Sequence, residues 1–221
     1  MYHITIISTE HKESGKYNSD ELYKIIELIN PDVIFEEEHN DDKYFEYYSN
    51  PNSFNSLEIQ AIIKYKQNHD IIHIPVDKWI NEFISFRVLD FLTNKFRSHN
   101  NYKQIIKEHC LLRDNYGIEY LNSDKCCELF LKIKLEEEQI ILNSGPEKHH
   151  LEYYYNLFHQ ELDSREHAML KNIYSYSSEN KYGKAIFFLG FAHRKSIRQK
   201  ILEFSQQVNP IINWSFYEGA Y

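Results

Sequence analysis

Where the apolar runs of this 221-residue chain end, side chains able to do acid–base chemistry begin. Ser8-Thr9-Glu10-His11 follows residues 3–7, and Glu36-Glu37-Glu38-His39 follows Val33-Ile34-Phe35. Asp77-Lys78 follows residues 71–75, and Gly190-Phe191-Ala192-His193 follows residues 184–189. If these runs are parallel strands of one sheet, their carboxyl ends share an edge, and two imidazoles meet several carboxylates there. An imidazole beside a carboxylate can activate water directly. His11 would take the proton, a carboxylate would orient the ring, and His193 or Arg165 would stabilise the developing oxyanion. In a metal-assisted version His11, His193 and Glu37 hold a divalent ion that acidifies bound water. No Ser or Cys lies in a Gly-x-Ser-x-Gly context, which disfavours a covalent acyl-enzyme. Glu36 and Glu37 alternate faces on an extended chain, so one of the two enters the cleft.

Plainer roles exist for each group. His11 could be a solvated loop residue, and His193 could cap the helix that starts near Arg194. Asp77 suits a helix N-cap. Arg165, on a helix, could form a surface ion pair, or it could pair with the glutamate and grip an anionic substrate. Met169 reads as core. His39, His149, His150 and His167 have no supporting pattern and read as surface residues.

The elements that must place these residues alternate strand and helix. Residues 3–7 form a short strand. Asn18, followed by Glu21, resembles a capping box, and Leu22, Ile25, Ile26 and Ile29 recur at helical spacing until Pro31. Residues 32–35 and 71–75 read as strands two and three, with a helix over 56–67 between them. The acidic run 36–38 and the polar patch 39–55 together read as a long surface loop. From about 78 to 143 the chain reads as three or so amphipathic helices, broken near 98–101 and 115–123. After the breaker Asn143-Ser144-Gly145-Pro146 come a long helix over 147–177, a strand over 184–189, a helix over 194–207 and a β-rich piece over 211–217. The expected fold is one α/β domain over 1–221. Its central sheet has four to five mostly parallel strands flanked by helices, with a helical insertion at about 78–143.

Composition narrows the function. Lys and Arg number 25 against 33 Asp and Glu, a formal charge of -8, with no basic block. Nucleic acid is therefore not an expected partner. The three cysteines, two of them adjacent, have no metal-type spacing and read as reduced thiols. Neither a signal segment nor a membrane-spanning run is apparent, so the expectation is a cytoplasmic protein that binds no membrane. The 18 tyrosines and 14 phenylalanines fit the codon bias of an A/T-rich genome.

Five stretches in order also carry a resemblance. Ser8-Thr9-Glu10-His11 resembles the Gly-Thr-x-His that opens the TraB/Tiki and erythromycin-esterase/ChaN-like superfamily. Residues 31–37 are similar to its second strand, which ends in an acid, and this register selects Glu37. Val76-Asp77-Lys78 resembles its Asp-Arg, Arg165 to Met169 its Arg-x-x-x-Met, and Gly190 to His193 its second Gly-x-x-His. Ser8 stands where that pattern has Gly. Lys78 stands where it has Arg, leaving a point charge in place of a bidentate fork. The resemblance spans residues 3 to about 202. It implies a hydrolase acting on an ester or amide of a small molecule or peptide, with or without a divalent metal. Its site would use His11, His193, Glu37 and Glu36 for chemistry and Arg165, Asp77, Lys78 and Glu10 for substrate. A non-catalytic protein binding haem, a metal or a small anion in the same cleft is the alternative, with Phe191 and Tyr2 as aromatic walls. A nuclease reading of Pro31-Asp32 fails for want of a lysine after Glu36 or Glu37.

Overall fold

The computed structural model describes residues 1–49, 56–205 and 210–219. Its five strands are β1 (Tyr2–Thr9), β2 (Val33–His39), β3 (Ile72–Asp77), β4 (Lys184–Gly190) and β5 (Ile212–Phe216). All pair in parallel, in the order β3-β2-β4-β1-β5. The fold is α/β, and every strand therefore ends on the same edge of the sheet.

The central strand β4 is buried along Ala185–Leu189 because it carries layers on both faces. On one face Ile7, Ile34, Ile186 and Phe188 pack under α1 (Ser19–Ile29) and α3 (Leu57–Lys66). On the other, Ile4, Ile6, Phe35 and Phe187 pack with Met169, Leu170 and Ile173 of α7 (Lys148–Glu179) and Ile197 of α8 (Arg194–Ser205). Met169 is core, as its apolar neighbours suggest. Asn18 caps α1, its Oδ1 accepting the Asp20 and Glu21 amides, but the other half of the expected capping box differs. The Ser19 amide donates to Glu13, and Glu21 turns outward to Lys24.

Between β3 and β4 lies the helical insertion: α4 (Leu89–Arg97), α5 (Asn100–Leu121) and α6 (Asp124–Leu142). It has a small core of its own, with Leu92, Phe96, Ile133, Ile140 and Leu151. The breaks fall at residues 98–99 and 122–123, and a π-helical turn over Phe83–Val88, which the spacing of apolar residues did not signal, precedes α4. Inside α5, Gly117 takes φ +60°, and a Cβ there would stand 2.7 Å from the Lys16 carbonyl oxygen. A side chain is thus refused twice at that kink, by backbone conformation and by space.

The expected loop over 36–55 is corrected in part, since residues 36–39 complete β2. Asp42–Ser49 forms a helix, α2, while residues 50–55 lie outside the described residues, as do 206–207 of the expected last helix. The third strand runs to Asp77, and Asp77 caps no helix, since helix resumes only at residue 82. Tyr2 opens β1 and so sits on the amino edge, opposite the expected cleft; its hydroxyl donates to the Asn180 carbonyl. No helix among the described residues is long and apolar enough to cross a membrane.

Candidate active site at the carboxyl edge of the sheet

Glu37 is the anchor. The β2–β3 register shifts between Glu36 and His39, one extra residue on β2, and such a bulge re-aims side chains at a strand end. Glu37 Oε2 accepts the Gly190 N–H at 2.6 Å, and Oε1 accepts Arg165 Nη2 at 2.8 Å and lies 3.4 Å from His193 Nε2. Gly190 permits the approach: a Cβ there would crowd Glu37 Oε2 at 3.2 Å. Burial alone would raise this carboxyl, but the charge and hydrogen bond of His193, with Arg165 and the Gly190 amide, hold it at about 2.

From Glu37 two arms extend. Arg165 reaches Asp77 Oδ2 through Nε at 3.0 Å and also through Nη2, tying α7 to the ends of both β2 and β3. His193 Nδ1 lies 2.7 Å from Glu166 Oε1, while Glu166 Oε2 takes Lys200 Nζ at 2.8 Å and the Ser196 hydroxyl. Burial works against a charged His193, yet the two flanking carboxylates outweigh it and raise the imidazole to about 9. At neutral pH His193 is an imidazolium donating from both nitrogens. The sign of the pH effect follows. The stability that His193 gains is fully present below its ordinary 6.5 and is lost as pH rises through about 9. That of Glu37 is present above 4.5 and is lost as pH falls through about 2. Melting temperature should therefore fall between pH 6.5 and 9 in the wild type and fall less steeply in His193→Gln, where His11, also raised to about 9, keeps its own share of the decline. Parallel alkaline slopes in both proteins would contradict this placement.

Across the same edge a second group surrounds a cavity of about 10 Å³, lined by Thr9, His11, Glu36, Glu37, Glu38, Glu58 and Phe188. That volume is about the room one water molecule needs. His11 Nδ1 lies 3.7 Å from Glu58 Oε1, and its ring is 65% exposed. The Glu58 carboxylate, reinforced by Glu37 and Glu38, raises His11 to about 9. Glu38 goes the other way for a carboxyl: burial and the neighbouring Glu36 lift it to about 7. Glu37 thus borders both groups, facing His193 and lining the His11 cavity.

The remaining sequence candidates are placed as follows. Glu36 is buried in a separate cluster, with the Tyr44 and Tyr48 hydroxyls donating to its two oxygens and His73 Nδ1 at 3.1 Å. Both its oxygens are engaged by that cluster. Glu10 turns towards the insertion, accepting Arg113 Nη1 at 2.8 Å, with His109 Nε2 at 3.9 Å. Lys78 pairs with Glu161 at 3.2 Å. His39 is no plain surface residue: its ring stacks on Trp79 with centroids 4.6 Å apart, and its buried Nε2 has no hydrogen-bond partner among the described residues. His149, by contrast, is 95% exposed. Glu58, Glu166, Ser196 and Lys200 were missed by sequence reasoning. Only Ser196 and Lys200 had a local signal, lying in the first turns of the helix that His193 leads into.

A divalent ion would need donors that are free to turn to it. Both Glu37 oxygens are on cationic or N–H partners, and among the described residues no group of three or more His, Cys, Asp or Glu is placed to hold a metal. As arranged, the side chains serve one another. A comparison with family models, curated proteins and solved structures finds no match to this chain.

Proposed function

We propose that the chain is a hydrolase that activates water at the His11–Glu37–Glu38–Glu58 cavity and attacks an ester or amide. The observation that carries this reading is one small cavity, where three strands end, bordered by an imidazole held in its charged form and a carboxyl, Glu38, lifted towards neutrality. Glu38, near 7, is half ionised at neutral pH and takes the water's proton. Glu58 keeps His11 protonated, so the ring donates to the developing oxyanion and does not act as the base assigned to it from the sequence. Glu37, locked by Arg165, Gly190 and His193, forms the fixed wall against which water and substrate are positioned. The five motif resemblances to the TraB/Tiki and erythromycin-esterase/ChaN-like superfamily support the same class. The carboxylate lining argues against a small anion in this cavity, and its volume argues against haem.

Hydrolysis of activated esters and of peptide amides should show a bell-shaped pH profile. The rate should rise as Glu38 deprotonates through about 7 and fall as His11 loses its proton through about 9. Glu38→Gln should lower kcat by roughly 10²–10⁴-fold and remove the acidic limb. Metal analysis of the purified protein separates this mechanism from a divalent-ion version using His11, His193 and Glu37. No turnover across such a panel, or full activity in both Glu38→Gln and His11→Ala, would end the proposal.

A further inference from the structure

A larger cavity lies on the other side of the Gly190–His193 turn. It has a volume of about 240 Å³ and opens between α6 and the start of α8. Its walls are apolar: Leu121, Cys126, Phe130 and Leu131 from the insertion, and Phe191 and Ala192 from the turn. Phe130 and Phe191 meet edge to face, centroids 5.5 Å apart, and the far face of Phe191 is fixed by stacking on His109 at 4.8 Å. Aromatic walls held in this way form a preorganised slot for an alkyl chain or a single ring. Cys126 is buried, and burial raises its thiol to about 12, so it serves as apolar wall and not as nucleophile.

The polar groups of the cavity are of one charge sign. Lys134 and Lys195 line it together with Ser196 and Gln199, and no carboxylate does. The Lys134 ammonium lies 5.2 Å over the Phe130 ring, at the junction of apolar wall and cation. An outer hollow that shares Cys127, Leu131 and Lys195 adds Arg194 and Arg198, along with Asp124 and Glu128. In a chain of net charge -8, two lysines on an apolar cavity without a compensating acid in its lining form a local anion preference.

We propose that this cavity binds a small amphipathic monocarboxylate. Its alkyl chain or ring lies along the wall that Phe130 and Phe191 form together, and its carboxylate lies at Lys134 and Lys195. The Ser196 hydroxyl links the cavity to the cluster around Glu37, because it lines the cavity and also donates to Glu166, the partner of His193. The proposal stands apart from the hydrolytic reading, since its test measures binding and not turnover.

The test is calorimetric titration of the full chain with octanoate and 3-phenylpropanoate, using octylammonium as the charge-reversed control. Both carboxylates should bind saturably at one site, and octylammonium should bind at least about tenfold more weakly. Lys134→Glu/Lys195→Glu, two changes at the cavity rim, should weaken octanoate by about tenfold or more while leaving the melting temperature close to wild type. Leu131→Trp, which fills the mouth from a half-exposed helix position, should weaken octanoate in a protein that still has both lysines. Absence of saturable octanoate binding would overturn the proposal. So would octylammonium binding as well as octanoate, or affinity unchanged in both variants.

Discussion

Replacing Arg165 by methionine is expected to cost about 3–5 kcal/mol of folding stability, the range for removing one member of a buried ion pair. The guanidinium is 14% exposed and bridges Asp77, whose side chain is fully buried, to Glu37, which is 10% exposed. Methionine matches the length of the arginine stem but leaves buried Asp77 without its cation and Glu37 with His193 and the Gly190 amide alone. Asp77 must then be protonated or drag in water, because Arg165 now offsets the cost of burying it. Arg165→Lys should fall between the two. It restores charge without the fork that reaches both acids at once. Adding Asp77→Asn to Arg165→Met should recover part of the loss, because one unpaired charge disappears. Urea denaturation of the three variants, compared at constant m, reads these differences directly. A loss of less than about 1 kcal/mol in Arg165→Met, the level of a surface pair, would show that the bridge does not hold α7 to the sheet.

Asp77, Glu37 and His193 were legible in the sequence, and the reason is topological. Each follows the end of an apolar run, and in an all-parallel sheet ending a run fixes position on one edge. Parity along β2 sets Glu37 and Glu36 on different faces without choosing between them, and it was the motif register that selected Glu37. The partners on helices were not legible. Glu166 is one acid among several on α7, and Glu58, the one acid on α3, sits in a first turn where an acid ordinarily serves the helix dipole; which turn of either helix reaches the strand ends depends on packing that periodicity does not encode. α7 buries residues against both the sheet and the insertion, so no single apolar stripe marks its inner face. The helix over Asp42–Ser49 had one usable signal, Tyr44 and Tyr48 four residues apart, both donating to Glu36. Glu10 and His11 are neighbours in sequence yet serve different clusters, because side chains alternate as the chain leaves β1. The insertion captures Glu10, and His11 stays with the cavity.

Asn122 lies between α5 and α6 and is fully buried, and Asn122→Ala is expected to cost about 3–5 kcal/mol, since several buried polar groups lose their partner together. β5 stops pairing with β1 near Ile6, whose carbonyl accepts the Tyr217 amide at 2.9 Å. Two residues on, Ser8 turns the same edge towards that side with no strand beside it. The Asn122 side chain fills the missing rung, with Oδ1 accepting the Ser8 N–H at 2.8 Å and Nδ2 donating to the Ser8 carbonyl at 3.0 Å. Oδ1 also accepts buried Arg194 Nη1 at 3.1 Å, and Nδ2 donates to the Ile118 carbonyl at 3.0 Å. One amide thus supplies a donor and an acceptor to the strand from which Glu10 and His11 emerge, and joins the insertion to it. Alanine removes all four contacts, leaves the Ser8 amide and carbonyl without this partner in the interior, and leaves Arg194 Nη1 with the Ser8 hydroxyl at 3.3 Å. Asn122→Asp keeps the acceptor for Ser8 N–H and Arg194 but cannot donate, so it should lose less than alanine. In Asn122→Ala, amide exchange at Ser8 should speed up by more than the global loss of stability explains, because the opening is local. Hydrolytic activity should also fall, measured at a temperature where the variant is still folded. Protection at Ser8 unchanged in folded Asn122→Ala would mean that the end of β1, and His11 with it, is held in place by something other than this side chain.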